Sequence, residues 1–232
     1  MIIALALATA FIVLVTLLPM SRHPHWLVRG LDFPRLQFAF IAVVLLLLQW
    51  SLLDLSESSS WLFIVPTMAS LAWQLWWILP YTRLWRTEVA SAATQDHSNE
   101  ISIMTANVLT TNRNADALLK LVRTHSPDIL VTLESDQWWQ EQLDVLSQTM
   151  PYSIKCPLDN LYGMHVYSRL ALSDSEISYL VEDDVPSMHA CVELRSGNKL
   201  RMHFLHPAPP SPTENEESAQ RDAELIVVAR SI

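Results

Sequence analysis

Three long apolar runs fill the first 81 residues, at about 2–18, 36–53 and 61–81. Each is close to the ~20 residues a helix needs to cross ~30 Å of hydrocarbon. In lipid the backbone must satisfy its own hydrogen bonds, which makes helices the available form for separate runs of this length. A water-soluble chain of 232 residues has too little polar surface to bury three such helices as a core. Residues 41–48 (IAVVLLLL) contain no polar side chain, and Pro19 closes the first run. Trp26, Trp50, Trp61, Trp76, Trp77 and Trp85 cluster near the run ends, where indole rings favour the headgroup level. The first run lacks a basic leader and a small-x-small cleavage site, so it reads as an anchor and not a signal peptide. Residues 1–86 are therefore expected to form a membrane domain of three transmembrane helices, with the lipid bilayer as its partner.

Loop charges suggest an orientation. Arg22, Arg29 and Arg35 lie between the first two runs, Asp54 and Glu57 between the second and third, and Arg83 and Arg86 after the third. Arginine-rich loops stay in the cytoplasm, which places the N-terminus outside and the C-terminal portion inside. Residues 87–99 (TEVASAATQDHSN) are small and polar and read as a linker.

Residues 100–232 have the composition of a water-soluble domain. They hold ten basic and nineteen acidic residues, so the net charge of −9 resides there. An acidic surface repels polyanions, and no strong nucleic-acid-binding signal is present. Alternating apolar residues predict a strand over 100–108, and Leu118, Leu119, Leu121 and Val122 a helix ending near His125. Asn112 to Asn114 are placed to cap that helix. DILVTL at 128–133 reads as a short buried strand, and 136–150 as a helix. Strands follow at 153–156, 164–167, 177–181, 189–194 and 200–205, with Ser196-Gly197-Asn198 as a hairpin turn. A last helix spans 214–232. The order predicts an α/β domain with a mixed sheet.

Few residues here suggest chemistry. Glu134 follows directly on a buried strand, where a carboxylate is placed either to bind a hard cation or to cap the next helix. Asn107 ends the first strand, and parallel pairing of the two strands would bring both ends together. His206 ends another strand, LRMHFLHPAPP, whose prolines stiffen the exit. It suits a hydrogen-bond donor or proton shuttle, or equally a surface residue. His203, three positions earlier, faces the other way. Cys156 and Cys191 form no CxxC pair and are expected as buried free thiols. Phosphate-binding glycine loops, GxSxG and HExxH are absent.

ISIMTANV, SPDILVTLE, YGMHVYSRLAL, LRMHFLHPAPP and a helix containing Gln220-Arg221 occur in that order. This set resembles the endonuclease/exonuclease/phosphatase superfamily, with the α/β sandwich fold of deoxyribonuclease I, and the three spans resemble its bacterial membrane members. The resemblance implies a phosphoester hydrolase of the bacterial inner membrane whose substrate class stays open. Glu134 would ligate Mg²⁺ (or Mn²⁺) with Asn107 beside it. Asn107 would also position the phosphate, and His206 and Arg221 would act on the scissile group. The superfamily's later Gly-Asp-x-Asn and Asp-His motifs do not occur here. The expectation is thus a partial sandwich from a truncated chain, inactive alone. The alternative is a catalytically dead, membrane-anchored interaction module.

Overall fold

The computed structural model describes residues 1–92 and 96–231. The chain divides into two compact units, residues 1–91 with 210–218, and residues 92–209 with 219–232. Residues 93–95 of the expected linker, and the last residue of the expected C-terminal helix, lie outside the described residues.

The first unit is built on three long helices, α1 (Ile2–Met20), α3 (Arg35–Leu52) and α4 (Trp61–Ile78), with a short α2 (Trp26–Gly30) between the first two. All three long helices have the length and apolarity to cross a membrane. Their buried positions recur every three or four residues: Leu5, Thr9, Ile12 and Thr16 on α1, Phe38, Ala42, Leu45 and Gln49 on α3, Ile64, Thr67, Ser70 and Gln74 on α4. Large apolar side chains such as Leu7, Phe40 and Leu62 point outward. In lipid, outward leucines gain nothing by helix association, so packing and interhelical hydrogen bonds must supply it. Gln49 donates to Thr9 (2.9 Å) and Thr67 (3.1 Å), and Gln74 donates to Thr16 (3.1 Å), joining all three helices. Each such bond is worth about 0.6–2 kcal/mol.

The second unit is an α/β sandwich. One mixed sheet has the order β1-β2-β4-β3, with β1 (Ile103–Asn107), β2 (Ile129–Leu133), β3 (Tyr152–Cys156) and β4 (Met164–Ser168). β1 and β2 run parallel, and the other pairs antiparallel. The second sheet is antiparallel, β5-β6-β7, with β5 (Leu172–Ser178), β6 (Ser187–Glu193) and β7 (Lys199–Phe204). Alternation sorts the side chains. Ile129, Val131, Met164 and Val166 meet Met188, Ala190, Val192 and Phe204 between the sheets. Leu130 and Tyr167 face the other way, onto α5 (Ala115–His125) and α6 (Gln137–Leu143) through Leu118, Val122, Trp139 and Leu143.

Local signals end these elements. Asn114 caps α5 by accepting from Ala117 N–H, and left-handed Ser126 closes it before Pro127. Asp136 caps α6 by accepting from Trp139 N–H at 3.0 Å. Asp128 locks the start of β2. It accepts from the Ser102 backbone and hydroxyl (2.8 and 2.9 Å) and pairs with Arg195. Burial pushes its pKa up, but these partners outweigh burial and hold the carboxyl below its ordinary value.

Three sequence expectations are corrected. The strand expected at 177–181 lies at Leu172–Ser178. The last helix, α7, is Ala219–Ser231 and does not begin at residue 214. Residues 214–218 form bends and isolated bridges instead, with Trp26 N–H on Glu216 C=O (2.8 Å) and Ser218 N–H on Pro24 C=O (2.9 Å). Cys156 and Cys191 are free but only half-buried.

Candidate phosphoester site at the strand ends

The parallel pairing of β1 with β2 sets Asn107 opposite Leu133. The residue after Leu133 therefore emerges beside Asn107 at the same sheet end. That residue is Glu134, and its backbone is left-handed, with φ 58°. A non-glycine residue held there is strained, and such strain persists where the surroundings over-determine it. The surroundings are visible. Thr110 Oγ1 donates to Glu134 C=O (3.1 Å), and Ser135 N–H donates to Gly163 C=O (2.9 Å). Gly163 is required by close approach, since a Cβ there would sit 2.1 Å from Ser135 O.

The twisted corner turns the Glu134 side chain onto its neighbours. Asn107 Nδ2 donates to Glu134 Oε1 at 2.5 Å. Asn107 Oδ1 accepts from Leu109 N–H (3.2 Å), which fixes which end of the amide faces the carboxylate. His206 Nε2 lies 3.7 Å from the same Oε1. Its ring sits 6.0 Å from that of Tyr162. The Glu134 and His206 side chains are 18% and 21% exposed, so the carboxylate is partly desolvated yet reachable.

Of the four residues singled out from the sequence, the structure brings Asn107, Glu134 and His206 together. Arg221, on α7, places its guanidinium on the adjacent Asp222 at 2.7 Å. Thr110 escaped the sequence reading, and Tyr162 and Gly163 entered it only as part of a motif. Thr110 acts through a backbone bond that leaves no periodic signal. Tyr162-Gly163 lies in the quoted YGMHVYSR stretch, where the close backbone approach is the reason for glycine. His203 is turned away, with its Nδ1 2.7 Å from Nδ1 of His189.

Among the described residues, no three His, Cys, Asp or Glu side chains cluster as a metal cage. The donor set at the strand ends is one carboxylate with an amide and an imidazole beside it. That set does not suit Zn²⁺ or Ca²⁺, which need several protein ligands. It fits Mg²⁺, which keeps most of its water and takes one or two carboxylates plus substrate phosphate oxygens.

The profile of the Endonuclease/Exonuclease/phosphatase family matches residues 104–232. Solved structures with a similar fold include D. rerio TDP2 humanized by 14 mutations, at 21% identity and TM-score 0.49, covering 57% of this chain and 55% of that one. The human Nocturnin catalytic domain with bound sulfate matches at 18% identity and TM-score 0.45, covering 56% and 58%. An endonuclease/exonuclease/phosphatase from Beutenbergia cavernae matches at 13% and 0.45, covering 57% and 44%. The chain thus spans about half the length of these structures. No curated protein sequence matches it.

Proposed function

This chain belongs to the endonuclease/exonuclease/phosphatase family, and from that premise we propose that it is a membrane-anchored phosphoesterase component using Mg²⁺ or Mn²⁺. The observation that carries the reading is the convergence of Asn107 and His206 on one carboxylate oxygen of Glu134. Glu134 would hold the cation, and Asn107 would fix the carboxylate's orientation. His206 would donate a hydrogen bond to a phosphoryl or leaving oxygen. A bound cation would set positive charge against the phosphoryl oxygens. Helices α1, α3 and α4 are the proposed anchor, in a bacterial inner membrane with the α/β unit on the cytoplasmic side. The arginine-rich first loop supports that sidedness.

The same site holds one carboxylate, already engaged by Asn107. A second group is needed to take a proton from attacking water, and losing a base costs ~10²–10⁴-fold in rate. This chain by itself is therefore proposed to bind a phosphodiester with Mg²⁺ and to turn it over slowly. The test is calorimetric binding of bis-p-nitrophenyl phosphate to the purified chain, with and without Mg²⁺. Binding should need Mg²⁺ and weaken about tenfold in His206→Ala, the worth of one hydrogen bond to a charged group. Binding indifferent to Mg²⁺ and to both His206→Ala and Asn107→Ala overturns the reading.

A further inference from the structure

The outer face of the second sheet carries polar side chains that the strand-end chemistry does not use. Along β6, Met188, Ala190 and Val192 turn into the core, so Ser187, His189 and Cys191 turn outward. Register sets their neighbours. His189 lies opposite His203 on β7 and opposite Glu176 on β5, and Ser187 lies opposite Ser178. The bulge between Ser173 and Glu176 shifts the register of β5 and so decides which of its side chains come beside His189.

Three of these side chains form a chain of hydrogen bonds. Ser178 Oγ lies 3.0 Å from His189 Nε2, and His189 Nδ1 lies 2.7 Å from His203 Nδ1. Both ring nitrogens of His189 are thus engaged. Only one of the two facing Nδ1 atoms can carry a proton in that contact. Where His189 carries it, Nδ1–H donates to His203, and the bare Nε2 accepts from the Ser178 hydroxyl. That is a nucleophile on a base, with the base oriented by a third group.

Access follows the same division. His189 is only 7% exposed, whereas Ser178, at the end of an edge strand, is half-buried. The base is shielded from water and the nucleophile is reachable. Burial, then His203 and Arg201, lower the pKa of His189 against an opposing pull from Glu176. The ring is therefore neutral and able to accept a proton at neutral pH. Ser187 does not compete for it, because its hydroxyl donates to Glu224 Oε1 on α7 at 2.6 Å.

We propose that Ser178, His189 and His203 form a second nucleophilic site, one that takes the acyl group of an activated carboxylic ester onto Ser178 Oγ. Ser178 Oγ attacks the ester carbonyl, and the new acyl–oxygen bond forms as the bond to the alcohol oxygen breaks. The hydroxyl proton passes to His189 Nε2 and from there to the departing alcohol. Water, activated by the same nitrogen, then hydrolyses the acyl-serine. A general base of this kind is worth about 10²–10⁴-fold, which suits esters with a good leaving group. This site is independent of the chemistry at Glu134.

The experiment treats the full chain, in mild detergent with EDTA, with a fluorophosphonate probe and follows the adduct by intact mass and peptide mapping. The probe's phosphorus bonds to the attacking oxygen, and fluoride leaves with the proton. One adduct should form, at Ser178. Ser178→Ala should abolish it, and His189→Gln should slow it about 100-fold or more. His203→Phe keeps a ring and removes the orienting nitrogen, and should slow it about five- to tenfold, the worth of one hydrogen bond. Release of p-nitrophenolate from p-nitrophenyl acetate should rank the variants in the same order. Between about pH 5 and about pH 8 the parent's labelling rate should rise and then level off once His189 is neutral. An adduct on another residue, or none, overturns the site. A His189→Gln rate within about twofold of the parent overturns the base. Where thermal melting shows His189→Gln unfolded, the parent's pH profile decides. A rate that climbs about tenfold per pH unit throughout is driven by hydroxide and overturns the base as well. Labelling that appears only when Mg²⁺ replaces EDTA belongs to the strand-end site and overturns this one.

Discussion

Acid should destabilise the α/β unit through a single buried histidine. His165 on β4 is fully buried on the helix-facing side of the first sheet. Its Nδ1 lies 3.4 Å from Thr132 Oγ1, and its Nε2 has no partner among the described residues. Burial, with Lys155 adding to it, pushes the imidazole from an ordinary 6.5 down to about 4. The folded state therefore takes up this proton only near pH 4, whereas the unfolded chain takes it up near 6.5. Stability is fully present above the unfolded value and is lost as pH falls from about 6.5 towards about 4. The full shift corresponds to about 3 kcal/mol, of which about 2 kcal/mol is gone by about pH 5. That is a large part of the ~5–15 kcal/mol typical of a domain. Pulse proteolysis in urea reads unfolding of this unit in mild detergent, at about pH 7.5 and about pH 5. His165→Leu removes the titrating group and the orphan nitrogen. It should cost less than ~1.5 kcal/mol at neutral pH, as a swap of similar volume. It should also lose ~2 kcal/mol less than the parent on acidification. His189, whose pKa burial and His203 also lower, titrates in both proteins and cancels in the comparison. Equal acid sensitivity in parent and variant would show that His165 does not carry the acid response.

Gly163→Ala should destabilise the α/β unit by about 1–3 kcal/mol or more through overpacking, because the new Cβ meets only backbone atoms of Ser135 and Leu158. Thermal melting checks this, and a wild-type midpoint would contradict it. Asp128→Ala removes the carboxylate that accepts from Ser102 and pairs with Arg195 and should cost about 2–3 kcal/mol by the same proteolysis assay. For orientation, a green fluorescent protein fused after Arg86 should glow and an alkaline phosphatase fused there should be inactive. The reverse pattern would place the α/β unit outside.

Much of the fold is legible in the sequence where one segment decides its own structure. DILVTL gives β2, Asn114 and Pro127 bracket α5, and the apolar runs match α1, α3 and α4 within a few residues. The pairing of the Asn107 and Glu134 strand ends follows from parallel neighbours and is observed. What the sequence hides is non-local. β5 reads LSDSEIS, mostly exposed, with a bulge between Ser173 and Glu176 and a left-handed Asp174. An exposed edge strand has no apolar alternation to detect. Residues 214–218 carry helix-forming glutamates, yet they form bends and isolated bridges, bonded to residues 24–26 nearly two hundred positions away. The strain at Glu134 is equally invisible in the sequence, because no propensity places a glutamate at positive φ.

Glu134 is the proposed cation-binding carboxylate of the phosphoester site. Its most direct test is Mn²⁺ binding to the purified 232-residue chain, followed by electron paramagnetic resonance of the free ion. One weak site is predicted, and Glu134→Gln, which removes the charge and keeps the shape, should weaken it about tenfold or more. Mn²⁺ affinity unchanged by Glu134→Gln would exclude Glu134 as the ligand.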